Sequence, residues 1–165
     1  MKTLIRTLVL LALIVWLGGI IFFPVVAQVT FTQPGIDSHT AGTIVGTLLR
    51  ILNGMGLVSG IVLLALLALA PAWGIFKARP ALAAMILVLV MVGLTAYSQY
   101  GIIPAMEKDR LAVGGVIDAA AQDNPARVDF NRLHQRSTHV EGAVLLLGLV
   151  SVVLVAGAEA SAGRR

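Results

Sequence analysis

Residues 51–70 have the sequence ILNGMGLVSGIVLLALLALA, which contains no charged side chain. As a helix, these twenty residues would be about 30 Å long, which is the thickness of the hydrocarbon core of a bilayer. Three further apolar stretches occur, and none shows the alternation typical of a membrane β-strand. With their polar ends included, the four predicted spans cover residues 8–27, 44–70, 81–103 and 138–158. The chain is therefore predicted to be an all-α membrane protein, a four-transmembrane-helix bundle.

Residues 104–137, between the third and fourth spans, are predicted to form an outer loop. The stretch from Met106 to Gln122 indicates a short amphipathic helix within this loop. Asn124 followed by Pro125 predicts the start of another helix, because Asn favours the N-cap and Pro the first helical position. That helix should continue into the fourth span. Residues 1–165 are thus expected to form a single membrane domain.

The composition excludes several classes of protein. Hydrophobic residues make up 58% of the chain and charged residues 12%, against about 25% charged residues in an average soluble domain. This balance excludes a soluble enzyme, a disordered tail and a nucleic-acid-binding module, since the basic residues form no continuous run. The absence of cysteine excludes disulfides and thiolate chemistry. No nucleophile–base pair or catalytic pair of acids is evident, so no enzymatic activity is expected.

The first apolar stretch has two interpretations. Lys2 and Arg6 form a basic start, and residues 25–27 resemble a cleavage site, as in a signal peptide. The apolar segment is, however, longer than a signal-peptide core, and its second half contains bulky Trp16 and Phe22. The length and bulk favour a retained helix.

The distribution of basic residues predicts the orientation. Lys2 and Arg6 at the N-terminus, Lys77 and Arg79 between the second and third spans, and the C-terminal arginines all fall on one side of a four-span protein. The first loop, residues 28–41, contains no Lys or Arg. The positive-inside rule therefore predicts that both termini are cytoplasmic. Short tails and spans rich in Ala, Leu and Gly favour a bacterial inner membrane.

Polar side chains within the spans are concentrated near the predicted outer side. Such side chains are costly in a membrane, which makes them candidates for function. The candidate outer polar cluster consists of Arg50, Asn53, Gln99, His134, Ser137 and Glu141. Arg50 and Glu141 reach similar depths in their spans, so we expect them to pair directly, through an amide or through water. Asn53 and Gln99 supply the amides.

The predicted fourth helix carries a stripe of polar side chains. Their spacing of four, three, four and three residues places them on one helix face: Arg127, Asn131, His134, Thr138 and Glu141. The stripe either lines a polar groove that opens outward, or faces water while Glu141 closes the bundle against Arg50.

Three histidines, His39, His134 and His139, are weak candidates for a metal or haem site. His134 and His139 differ by about 140° around a helix, so the two cannot chelate one ion from a straight helix. His39 could approach either from the first loop. No metal site is predicted and no cofactor is expected.

Small residues recur at the spacing that brings membrane helices close together. Gly42 and Gly46 form one small-xxx-small pair, and Gly56 and Gly60 form another. Each pair suits packing within the bundle or between copies. The expected partners are therefore the lipid bilayer and either a second copy or another membrane protein.

Three segments resemble the transmembrane-protein-205-like family of small four-helix membrane proteins, a domain of unknown function. The segments are WLGGIIFFP at residues 16–24, TAGTIVG at residues 40–46 and FNRLHQRS at residues 130–137. The resemblance implies four spans, and animal members are associated with tolerance to platinum drugs. The positions that it carries over are Trp16, Gly18, Gly19, Gly42, Gly46, Phe130, His134 and Ser137. Bacterial relatives often have Asn where this chain has Glu141.

Three functions remain open from the sequence. The chain could bind a solute or toxic compound, or help to export it, through the outer polar cluster. Alternatively, it could bind a metal or haem through the outer histidines, or serve as a structural subunit of a membrane complex.

Overall fold

The computed structural model describes residues 2–162, with side chains as far as residue 158, and it is mainly helical. The helices are α1 (Lys2–Thr32), α2 (Ser38–Leu69), α3 (Ala78–Tyr97), α4 (Ile103–Ala112) and α5 (Pro125–Ala162). A π-helical segment, Ser98–Ile102, joins α3 to α4, and a 3₁₀ turn, Ile117–Ala119, precedes α5. In the described chain, α1, α2, the continuous α3–α4 rod and α5 are long and apolar enough to cross a membrane. The predicted four-helix membrane fold is confirmed.

The region after the third span differs from the expectation of a separate helix from Met106 to Gln122. This helix is instead the continuation of α3 through the π segment, and it ends at Ala112. Gly114 and Gly115 follow with φ values of 76° and 93°. These left-handed conformations suit glycine and stop the helix, because other residues adopt them only with strain.

The start of α5 is formed as the sequence indicates. Pro125 is its first residue, and the Asn124 side-chain oxygen accepts a hydrogen bond from the backbone N–H of Ala126 at 3.0 Å. Proline lacks an N–H, but the first turn of a helix has no use for that donor. The chain then continues as one helix into the fourth span, as predicted.

The bundle closes around a core that extends over most of its length. α1 packs on α2, α2 on α3, α3 on α5, and α5 returns to α1. Trp16 is 1% exposed and packs over Gly56 and Gly60, so closely that a Cβ atom on either glycine would collide with the indole. The second glycine pair of the sequence therefore serves packing within the bundle. Gly42 and Gly46, by contrast, have open space where a Cβ would project.

Large apolar side chains cover the outside of the bundle. Val153 is 70% exposed, Leu146 66% and Ile61 63%. Exposure of so many apolar side chains to water is unfavourable, whereas lipid chains solvate them. These surfaces and the four long apolar helices indicate an integral membrane protein.

The first helix and the loop between α2 and α3 meet at one end of the bundle. The Lys2 ammonium donates to the carbonyl of Gly74 at 3.4 Å, and the Arg6 guanidinium donates to that of Ile75 at 3.3 Å. These contacts bring the two predicted cytoplasmic segments together. We call this the basic end, and we call the opposite end, which contains Asn53, Ser98 and Glu141, the polar end.

Candidate polar site at one end of the bundle

A chain of hydrogen bonds joins three helical elements at the polar end. The Asn53 amide of α2 donates to the Ser98 hydroxyl of the π segment at 3.2 Å. Ser98 in turn donates to Oε1 of Glu141 on α5, also at 3.2 Å. Asn53 is 2% exposed and Ser98 is fully buried. Because Ser98 has one proton to donate and a lone pair to accept with, both bonds form together.

The π segment is what positions Ser98 in this network. Pro104 follows it, and a proline within a helix removes a backbone donor and crowds the preceding turn. The N–H of Ile103 bonds to the carbonyl of Ser98, five residues earlier, instead of four. This wider turn accommodates the proline, and Ser98 and Ile102 are both buried within it. π-helical turns of this kind are frequent at functional sites.

Three buried oxygens beside this network have no hydrogen-bond partner among the described residues. They are Oγ1 of Thr95, Oε1 of Gln99 and Oε2 of Glu141. Thr95 is unusual in this chain, because threonines such as Thr30 and Thr138 bond the carbonyl four residues earlier in their own helix. Buried polar atoms without partners are uncommon and call for an explanation. These three oxygen atoms at the polar end can therefore accept hydrogen bonds that no described residue donates.

The predicted Arg50–Glu141 ion pair is wrong as a direct contact. Both residues are described, and no ion pair or hydrogen bond joins them. Arg50 is exposed and lines an open groove, while Glu141 is turned towards Ser98. Equal depth in two spans gives the two side chains the same position along the bundle axis, but an ion pair also requires that they project towards each other. Of the two amides, Asn53 is linked to Glu141 through Ser98, a residue that the predicted cluster lacked.

An open groove at the polar end contains Arg50. It has a volume of about 570 Å³ and lies beside the α3–α4 rod; its lining is Arg50, Gln99, Pro104, Glu107, Lys108 and Leu111. Arg50 forms no hydrogen bond or ion pair with any residue in the described part of the chain. Glu107 is already bonded to Arg110 at 2.8 Å and 3.0 Å. The groove thus presents a guanidinium that attracts Glu107 electrostatically but forms no direct ion pair with it.

The fourth-span stripe does not line one groove. Asn131, His134 and Thr138 are exposed, and the His134 ring is stacked on Phe130 with centroids 6.4 Å apart. Arg127 bonds the carbonyls of Asp118 and Ala120 and so holds the preceding turn. The outer part of the stripe faces solvent, and only Glu141 enters the buried network.

Ser137, predicted as part of the cluster, is buried one turn before Glu141. None of the described residues hydrogen-bonds to its hydroxyl. Ser137 therefore belongs to the packing of α5 at the polar end, outside the hydrogen-bond chain.

His39 has a packing role at the start of α2. Its Nδ1 lies 2.8 Å from the carbonyl oxygen of Gly115 and 3.4 Å from Nη1 of Arg110. The ring packs against the glycine that ends the α4 turn. Arg110 also reaches across from α4 and donates to the Thr43 hydroxyl at 2.7 Å. Between residues 2 and 158, no three His, Asp or Glu side chains come together as a metal site, so His39, His134 and His139 are not combined.

The residues that sequence reasoning missed lie on the α3–α4 rod. Ser98 and Thr95 belong to the polar end of the third span, which was visible in the sequence. Glu107 and Lys108 belong to the stretch for which the sequence predicts a separate loop helix. Pro104, within an otherwise helical stretch, was the available signal that the helix changes its winding just before it.

Residues 11–111 match the family described as a domain of unknown function, DUF4149. No curated protein and no solved structure matches. The matched region contains Arg50, Asn53 and Ser98 but ends before α5, and its description does not carry the transmembrane-protein-205 name. That finer resemblance stays a prediction. Because the match covers more than half of the 165 residues, the chain belongs to the DUF4149 family.

Proposed function

We propose that this protein is an inner-membrane protein of a bacterium that binds a solute carrying an anionic group and helps to export it. The observation that carries the proposal is the Arg50 guanidinium, which lines the groove without a bonding partner in the described chain. An arginine near the hydrocarbon boundary is costly unless a counter-charge or water satisfies it. A ligand carboxylate or phosphate would supply that charge with bidentate geometry.

The remainder of the groove lining favours an amphiphilic ligand. Lys108 adds a second cation, and Glu107 is compensated by its two bonds to Arg110. Pro104 and Leu111 supply apolar surface next to these charges. A molecule with one anionic group and an apolar body would match both parts.

The proposed role in export is supported by the family resemblance. Animal members of the transmembrane-protein-205-like family, which the sequence resembles, are associated with tolerance to platinum drugs. Four helices rarely enclose a complete pathway, so we propose that the protein works as an oligomer or with a membrane partner. Gly42 and Gly46 leave room for the close approach of another helix.

The proposed orientation places both termini in the cytoplasm and the polar end outside. The chain has no cysteine, so single cysteines report the topology directly. Gln33→Cys at the polar end should react with a membrane-impermeant maleimide on intact spheroplasts, and Ala78→Cys at the basic end only after permeabilisation. The reverse pattern would invert the orientation. The intact mass of the purified protein should include residues 1–27 if α1 is retained.

Ligand binding is tested on the purified full-length protein in neutral detergent. The probes are inorganic phosphate, dodecyl phosphate and laurate, with dodecyl maltoside as the uncharged comparison. A probe at about 100 times its Kd should stabilise the fold by about 2.7 kcal/mol, which raises Tm. Arg50→Leu should lose this shift, whereas Lys77→Leu at the basic end should keep it. Absence of binding by every probe, or an unchanged shift in Arg50→Leu, would refute the proposal.

A second candidate is a structural subunit of a membrane complex. The Asn53–Ser98–Glu141 chain favours it, because these hydrogen bonds tie three helices into one register. In this case Arg50→Leu should leave the cellular phenotype of the protein intact. Substitution of Gly42 by Leu should then abolish copurification of a defined stoichiometric partner.

A further inference from the structure

We propose that Glu141 holds an exchangeable monovalent cation, a proton or Na⁺, against the hydroxyls of Thr95, in the last turn of α3, and Ser98, the first residue of the π segment. This inference concerns the buried hydrogen-bond chain and does not depend on the Arg50 groove. The site consists of Glu141 with Ser98 and Thr95, and it lies between α5 and the end of α3.

The Glu141 carboxyl group has only one of its two oxygens hydrogen-bonded within the described chain. Oε1 accepts one hydrogen bond, from the neutral hydroxyl of Ser98. Oε2 is buried and has no partner among the described residues. An ionised carboxylate in such surroundings would normally have a cationic partner or several donors. A proton on Oε2 or a sodium ion beside it would neutralise the charge.

The hydroxyl oxygen of Thr95 is a second buried oxygen without a hydrogen-bond partner in the described chain. This side chain is 1% exposed, and its Oγ1 lacks a partner within the described chain. Thr95 precedes Ser98 by three residues, so the two project from neighbouring positions on one face of the helix. It does not make the intrahelical bond that Thr43, Thr47 and Thr138 make. Hydroxyl and carboxylate oxygens are the donors that hard cations prefer.

The charged groups around the site do not replace such a cation. On α2 and α4, Arg50, Glu107 and Lys108 line the groove. Arg110 is bonded to Glu107 and Thr43. On α5, His134, Arg136 and His139 are exposed. None of these described side chains is hydrogen-bonded or ion-paired with Glu141, and its neighbours in the network, Ser98 and Asn53, are neutral.

The test uses the purified full-length protein in sodium-free choline buffer. Dicyclohexylcarbodiimide, an apolar reagent, reacts with protonated carboxyl groups, and peptide mass spectrometry locates the adduct. Glu141 should be labelled, with labelling falling about tenfold for each pH unit above its midpoint. Glu141→Gln should lose the adduct, and the groove variant Glu107→Gln should keep it. Suppression of labelling by added Na⁺ identifies sodium as the competing occupant, and insensitivity to Na⁺ identifies the proton.

A difference titration removes the dependence on reagent access. The proton uptake of the wild type minus that of Glu141→Gln should amount to one proton, with a midpoint above that of the matching Glu107→Gln difference. Added Na⁺ should lower the midpoint only if sodium binds. If the Glu141 difference has the same midpoint as the Glu107 difference and Na⁺ leaves both unchanged, the proposed site is overturned.

Discussion

Replacement of Ser98 by Ala tests whether the buried hydrogen-bond chain stabilises the bundle. The substitution removes the donor to Glu141 and the acceptor of the Asn53 amide, each at 3.2 Å. Hydrogen bonds between membrane helices contribute about 0.6 kcal/mol each on average. The carboxyl group left without any protein donor adds about 1–3 kcal/mol. We therefore expect Ser98→Ala to lower the free energy of unfolding by about 2–4 kcal/mol.

The assay is reversible unfolding in mixed micelles, followed by tryptophan fluorescence, to which the buried Trp16 and the more exposed Trp73 contribute. Ser151→Ala is the matched control, since Ser151 is also fully buried but its hydroxyl bonds only the Leu147 carbonyl of its own helix. It should cost less than about 1 kcal/mol. In a Glu141→Leu background, the Ser98→Ala penalty should fall to about 0.6 kcal/mol, the contribution of the remaining Asn53 bond, because the carboxyl partner is already gone. A Ser98→Ala penalty equal to that of Ser151→Ala, or full additivity with Glu141→Leu, would refute the reasoning.

Three further predictions follow from the described contacts. Arg50→Leu and Glu141→Leu should be additive in unfolding free energy to within about 0.5 kcal/mol, because the two side chains form no pair; a larger coupling in a double-mutant cycle would restore the predicted ion pair. Gly60→Leu should prevent folding of the bundle, because its side chain would collide with the α1 indole, whereas Gly42→Leu should remain folded by size-exclusion chromatography. The pKa of Asp37 lies below its ordinary value of 3.8, because the carboxylate accepts hydrogen bonds from Thr40 in the N-terminal turn of α2. The ionised carboxylate therefore stabilises the fold above the unfolded-state pKa, and this stabilisation is lost as the pH falls through the folded-state pKa. Asp37→Asn should remove this part of the acid dependence of Tm in circular dichroism melts.

The sequence predicts how far along the bundle axis each polar side chain lies, but not in which direction the side chain projects from its helix. Equal depth in their spans predicts that Arg50 and Glu141 lie at the same end of the bundle, and the structure has both at the polar end. The side of α2 on which Arg50 projects depends on the packing of its neighbours. Gly56 and Gly60 accept Trp16 on one face of α2. Asn53 is buried, whereas Arg50, about 60° away around the same helix, is exposed at the groove.

The local sequence pattern also did not predict the π-helical turn at the end of the third span. Pro104 indicates a disturbance, but an ordinary kink, a break or a π turn would each relieve it. The π segment that forms places Ser98 between Asn53 and Glu141. It also continues the rod into α4, which brings Glu107 and Lys108 to the groove.

By itself, the sequence determined the membrane class, the four spans, the clustering of polar side chains at one end and the Asn124–Pro125 helix start. These depend on hydrophobicity, length and local backbone chemistry, all of which are properties of consecutive residues. Only the tertiary structure decided that Ser98 bonds Glu141, that Arg50 faces a groove and that the histidines stay apart. Such contacts depend on the rotation of each helix about its own axis, which is set by the side chains of the other helices packed against it.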